Sequence, residues 1–176
     1  LGNDSGVLGQ YLAFHNYRGS VSASYDGPKD KYYYGRRPTQ VMMPNFRNVE
    51  KQETDFLRGY ASNLSASRVV ENAKDLLGES LKNQLLAQKL GNWHINVGMM
   101  GETIPKASSQ VRLDPVAKDK YGIPQLRVSI GYDANDEKML KDFHQQFTEM
   151  YQAAGFKNIQ PIDTKRLPGN ENHEMG

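Results

Sequence analysis

A chain of 176 residues is long enough for one domain with its own core, and an apolar share of 38% predicts extended loops or a face built to cover something else. A net charge of +2 is too small to argue for nucleic acid or an anionic membrane, and the absence of cysteine excludes disulfides. No apolar run approaches the ~20 residues that a spanning helix needs, and with neither a leader pattern nor an initiator Met at Leu1–Gly6, cytoplasm and periplasm both stay open.

Gly2–Gly6 is turn chemistry. Tyr11–Tyr25 reads as one long strand, with His15, Tyr17, Val21 and Ala23 on one face at period 2 and Arg18, Ser20, Ser22 and Ser24 on the other. Tyr32–Tyr34 and Val41–Met43 read as short strands and Phe56–Ser67 as another. Leu77, Leu81 and Leu85 predict a helix over 73–90, with Gly91 as its stop and Gly78 as an interior weak point costing about 1 kcal/mol against Ala. Trp93–Ile104 alternates through Ile95, Val97 and Met99. Gln110–Asp114 and Gln125–Asp133 alternate as well and flank Pro115–Pro124, which fits a hairpin with a long loop. Over 136–154, the stripe Met139, Phe143, Phe147, Met150 and Ala154 predicts a helix, capped by Asn135, with Asp136 and Glu137 at the positive end of its dipole and Gly155 at its end.

Clean alternation implies one buried face and antiparallel pairing. Strands grouped around two helices, without a strand–helix rhythm, point to the α+β class. A single antiparallel sheet is expected to hold Tyr11–Tyr25, Trp93–Ile104 and Gln125–Asp133, with both helices on one side.

Few residues announce chemistry. His173 lies in a Pro/Gly/Asn loop, where a solvated histidine is the plain reading, and an imidazole base near neutral pH is the functional one. His94 alternates to the face opposite Ile95, as a half-exposed sheet histidine. His144, off the helix stripe, reads as solvated. Glu102 reads as a strand-end carboxylate. Four scattered histidines without a ligand spacing make a metal site unexpected. Tyr32–Tyr34 with Arg36 and Arg37 could stack bases and hold phosphates, but a strand edge with solvated arginines is the plainer reading. No Gly-x-Gly-x-x-Gly, Walker motif or nucleophile elbow occurs.

Several stretches, in order, resemble the substrate-binding part of bacterial glucose–methanol–choline (GMC) flavin oxidoreductases. Ser5-Gly-Val-Leu-Gly-Gln-Tyr-Leu-Ala-Phe-His15 is similar to the segment where the chain leaves the flavin domain. Gly101-Glu-Thr-Ile-Pro105, Gln110-Val-Arg-Leu-Asp-Pro115 and Asp119-Lys-Tyr-Gly-Ile-Pro-Gln-Leu-Arg127 resemble the central sheet, and Ala153-Ala-Gly155 follows. Leu167-Pro-Gly-Asn-Glu-Asn-His-Glu-Met-Gly176 resembles the catalytic-histidine run, His-x-x-Gly-Thr, cut off where Thr should come. Phe14 stands where the family often has Asp, so a carboxylate role there is lost. The nucleotide-binding fingerprint is absent, as is whatever follows Gly176, including the second catalytic residue.

The resemblance implies that residues 1–176 are the substrate-binding domain excised from a larger enzyme, without its FAD-binding domain. It implies an antiparallel sheet of about six strands with helices on its outer face. The implied reaction oxidises the CH–OH group of a small alcohol, a sugar, polyol or sugar acid, by hydride transfer to FAD, with His173 as acid/base. Glu102, His94 and Asn96 would contact the substrate and His15 the cofactor. The flavin domain of the same chain would be the partner, and the fragment alone would be inactive. The rival reading is a non-catalytic carbohydrate- or lipid-binding α+β domain.

Overall fold

The computed structural model describes residues 2–28, 40–70, 75–86, 90–169 and 173. Its scaffold is an antiparallel sheet built from β1 (His15–Asn16), β2 (Gly19–Tyr25), β3 (Val41–Met43), β4 (Tyr60–Val70), β5 (Leu90–Glu102) and β8 (Lys157–Asp163). The strands lie in the order β3-β4-β5-β2-β8, and β1 continues the line of β2 along β5. The sequence alternation of β5 is realised: Ile95, Val97 and Met99 are buried on one face, while His94, Asn96 and Glu102 take the other. The chain is α+β with a mainly antiparallel sheet, as expected.

One helix, α2 (Ala134–Ala153), covers the apolar face. Its stripe at helical spacing buries Met139, Leu140, Phe143, Phe147 and Tyr151 against Val21, Ala23, Tyr60, Val97 and Met99. The helix lies close because Gly19 has no side chain: a Cβ there would come within 2.9 Å of Leu140, Met99 and Phe143. Gly155, at φ +75°, stops the helix, and the Phe156 N–H closes back on the Tyr151 carbonyl at 2.9 Å.

The N-terminus of α2 differs from the expectation. Asp133, not Asn135, is the cap, and its carboxylate accepts from the N–H groups of Asn135 and Asp136. The Asp136 side chain reaches back to the Asp133 N–H at 2.9 Å, completing a capping box. Asn135 instead brackets Leu57, accepting its N–H at 2.7 Å and donating to its carbonyl at 3.1 Å. A local sequence shows several cap candidates, and the choice falls to tertiary partners.

Asp136 is buried, and its Oδ1 has no hydrogen-bond partner among the described residues. Burial pushes its pKa up to about 6. Because the folded value lies above the unfolded one, its contribution to stability is complete below the unfolded carboxylate range and is lost as pH rises through about 6. Asp136→Asn keeps an acceptor for the Asp133 N–H and cannot ionise. Its stability relative to the native chain should therefore improve by on the order of 1–2 kcal/mol between pH 4 and pH 7.5 in urea titrations. A difference independent of pH would contradict this.

Three further expectations are corrected. Tyr11–Tyr25 is not one strand. His15 and Asn16 pair with Glu102 and Gly101, whereas Ser20 and Val21 pair with Gly98 and Val97, so residues 17–19 oppose only two residues of β5. This bulge flips the phase: Asn16 and Arg18 are buried before it, Val21 and Ala23 after it. The strand expected at Gln125–Asp133 is β7 (Pro124–Ser129), which leaves the main sheet and pairs with β6 (Gln110–Lys118) as a separate two-stranded ribbon. Alternation marks a strand without naming its partner. Leu113 and Leu126 face each other across this hairpin and stay exposed.

The expected helix over 73–90 is shorter. Of it, α1 spans Gly78–Leu86 and buries no residue, so it does not join α2 against the sheet. Leu77 and Leu85 are exposed, and Gly78 starts the helix at φ +60° rather than sitting inside it. Residues 73, 74 and 87–89 of that expectation, and the Tyr32–Arg37 platform, lie outside the described residues. Among the described residues no helix is long and apolar enough to cross a membrane.

Candidate functional site

The face of the sheet opposite α2 carries mostly small polar side chains in cross-strand rows, with Met100, Met42 and Ile162 among them and Glu102 at one end. Ser24, His94 and Ser67 form one row across β2, β5 and β4. Gln160, Ser22, Asn96 and Ser65 form the next, with β8 at its edge. Ser20, Gly98 and Asn63 form a third. Serine and asparagine are poor strand formers. Their alternation with Val, Ala and Ile marks one face of the sheet as polar, opposite the face that α2 covers.

At one end of this face the bulge gathers a ring cluster. His15 stands opposite Glu102 in the register. The His15 ring meets Tyr17 edge-on at 5.2 Å and His173 at 5.3 Å. The Tyr17 hydroxyl and His173 Nδ1 are 3.2 Å apart. Residues 156 positions apart in the chain thus share one site.

The backbone under the cluster is anchored from below. Asn16 is fully buried, and its Nδ2 donates to the Asp136 carbonyl at 3.1 Å. The buried Arg18 guanidinium pairs with Asp163 at 2.7 Å and with Glu137, and lies over the Tyr132 ring at 5.2 Å. The hydrogen bond from Arg18 holds the Asp163 carboxyl well below the usual range. One guanidinium therefore ties the bulge to both α2 and β8, and Tyr17 is held between two buried neighbours.

The expected site residues divide into two groups. His15, Glu102 and His173 come together, with Glu102 exposed and paired to Arg58 at 3.5 Å. His94 and Asn96 share the same sheet face but sit further along β5. At ~3.3 Å per residue, His94 is roughly 26 Å from the Glu102 end. One substrate the size of a monosaccharide cannot touch both. Sequence reasoning missed Tyr17, whose only signal was sharing the alternation phase of His15.

His144, read as solvated, is half-buried and its Nε2 lies 3.1 Å from the Ile162 carbonyl; burial lowers its pKa. It belongs to the joint between α2 and β8. Among the described residues no cluster of His, Asp and Glu could hold a metal ion. No protein-family model matches the chain, and no curated protein matches it significantly.

Proposed function

We propose that this domain is the substrate-binding part of an FAD-dependent oxidoreductase of the GMC type acting on CH–OH groups of a polyol, sugar or sugar acid. The observation that carries the reading is the His15–Tyr17–His173 cluster, beside Glu102, at the end of a largely polar sheet face. Hydroxyl and amide rows suit a ligand that offers many hydroxyls, and an imidazole at their end suits removal of one hydroxyl proton. The cluster also brings together His15 and His173, which belong to two of the segments that carry the family resemblance.

Among the described residues nothing cradles a dinucleotide diphosphate. The N-terminus of α2 is closed by the Asp133 carboxylate and backed by Asp136, so an anion there would meet two acids. FAD is held, in this reading, by a flavin domain of the same polypeptide, with His15 as this chain's contact to it, and when bound it supplies the hydride acceptor. The residues described here bind and orient the alcohol and take its hydroxyl proton. As the C–H hydride leaves, the O–H proton passes to His173 and the alcohol becomes a carbonyl.

By itself the 176-residue chain is expected to purify without flavin. A yellow protein with near-stoichiometric flavin would overturn the division of labour. The function is tested by adding sugars and polyols, without oxygen, to the longer flavoprotein carrying this sequence. Reduction of its flavin supports oxidation chemistry. Tight sugar binding with the flavin left oxidised would favour a non-catalytic carbohydrate-binding domain.

A further inference from the structure

We infer that Tyr17 is the positioning residue for His173, accepting a hydrogen bond from its Nδ1–H and so leaving the Nε2 lone pair to face the substrate. The inference rests on the reading of His173 as the proton acceptor. Its physical basis is the 3.2 Å approach of the Tyr17 hydroxyl to Nδ1 together with the edge-on contacts of His15 to both rings.

An imidazole can remove a proton only through an unprotonated nitrogen. Nδ1 is engaged by Tyr17, so Nε2 is the nitrogen left for the alcohol. In the neutral ring this requires the proton on Nδ1, with the Tyr17 oxygen accepting it. The same bond survives when Nε2 takes the substrate proton, because Nδ1–H remains the donor in the imidazolium. A Tyr17 that donated to Nδ1 would have to turn its O–H away at that step. The tyrosine is the fixed partner, since the buried Asn16 and Arg18 lock its backbone on both sides. The edge-on His15 ring limits rotation of both partners.

The test reads the ring nitrogens directly. Two-bond ¹H–¹⁵N correlation spectra of the 176-residue chain are recorded about two pH units above the ordinary imidazole pKa of ~6.5, where the spectra themselves report the protonation of each ring. The His173 signals are assigned by their loss in His173→Gln. The expected result is a predominantly Nδ1–H ring, which reverts in Tyr17→Phe to the Nε2–H form that isolated histidine favours. Phenylalanine keeps the ring packing against His15, so a purely structural role would leave the tautomer unchanged. An Nε2–H ring in the native chain, or the same tautomer in native and Tyr17→Phe proteins, would overturn the inference. Neither outcome depends on flavin or turnover, so this failure is distinguishable from failure of the functional reading, which is judged on the holoenzyme.

Discussion

If the domain belongs to a flavoprotein as proposed, replacing His173 by alanine in that protein is expected to slow flavin reduction by the alcohol on the order of 10²-fold or more, the usual scale for a positioned acid–base group. Affinity for FAD should hardly change, because nothing in the ring cluster cradles a phosphate. The loss should fall on the reduction step at saturating alcohol rather than on alcohol binding, since the proton moves only as the C–H bond breaks. Stopped-flow reduction of the oxidised enzyme separates these terms. Undiminished reduction in the variant would leave His173 as an ordinary loop histidine and remove the catalytic assignment.

Phe143→Ala is expected to have the largest effect on stability. Phe143 is fully buried, and its ring meets Tyr60 at 5.4 Å and Phe147 at 4.7 Å. The Tyr60 hydroxyl is fixed in turn by Asp142 at 2.7 Å, so the wall around the lost ring cannot collapse freely. The cost should be roughly 3–5 kcal/mol, or a Tm lower by roughly 6–20 °C. Leu85→Ala on α1 is the matched control: it removes an apolar side chain from an exposed helix and should cost less than about 0.5 kcal/mol. Similar losses in the two variants would mean that α1 packs on a core as α2 does.

The same contrast explains how much of the fold was legible. The α2 stripe had five apolar positions at helical spacing and one glycine stop, and the packing uses most of them, with Tyr151 taking the place expected of Ala154. The strand β5 was legible because one face is truly buried, whereas the strand expected at Phe56–Ser67 is β4, which starts at Tyr60 and runs to Val70. Strand β8 was missed: Lys157–Asp163 contains Pro161, lies at the sheet edge and is mostly exposed, so it lacks alternation to read. Leucines at helical spacing were read as a buried stripe over 73–90, yet α1 shows that spacing permits burial without causing it.

The site was legible as residue types and not as an assembly. His15, Glu102 and His173 could be singled out from the sequence, but their meeting depends on a one-residue bulge that no local pattern announced. Without that bulge the alternation of β2 would carry His15 and Tyr17 onto the core face with Val21. Tyr17 drew no notice because a tyrosine at a strand end has no chemistry until a partner from elsewhere in the chain stands beside it. His94 and Asn96 were rightly placed on the polar face, but strand geometry sets them far from the ring cluster.

The ring cluster and the polar face are proposed to serve alcohol oxidation. The most direct measurement is the absorbance of the flavin in the intact flavoprotein, followed without oxygen as neutral sugars and polyols are added. Bleaching by at least one of them, slowed on the order of 10²-fold in His173→Ala, is the result the account predicts. An intact protein that purifies without flavin, or a flavin that no alcohol reduces, would contradict it.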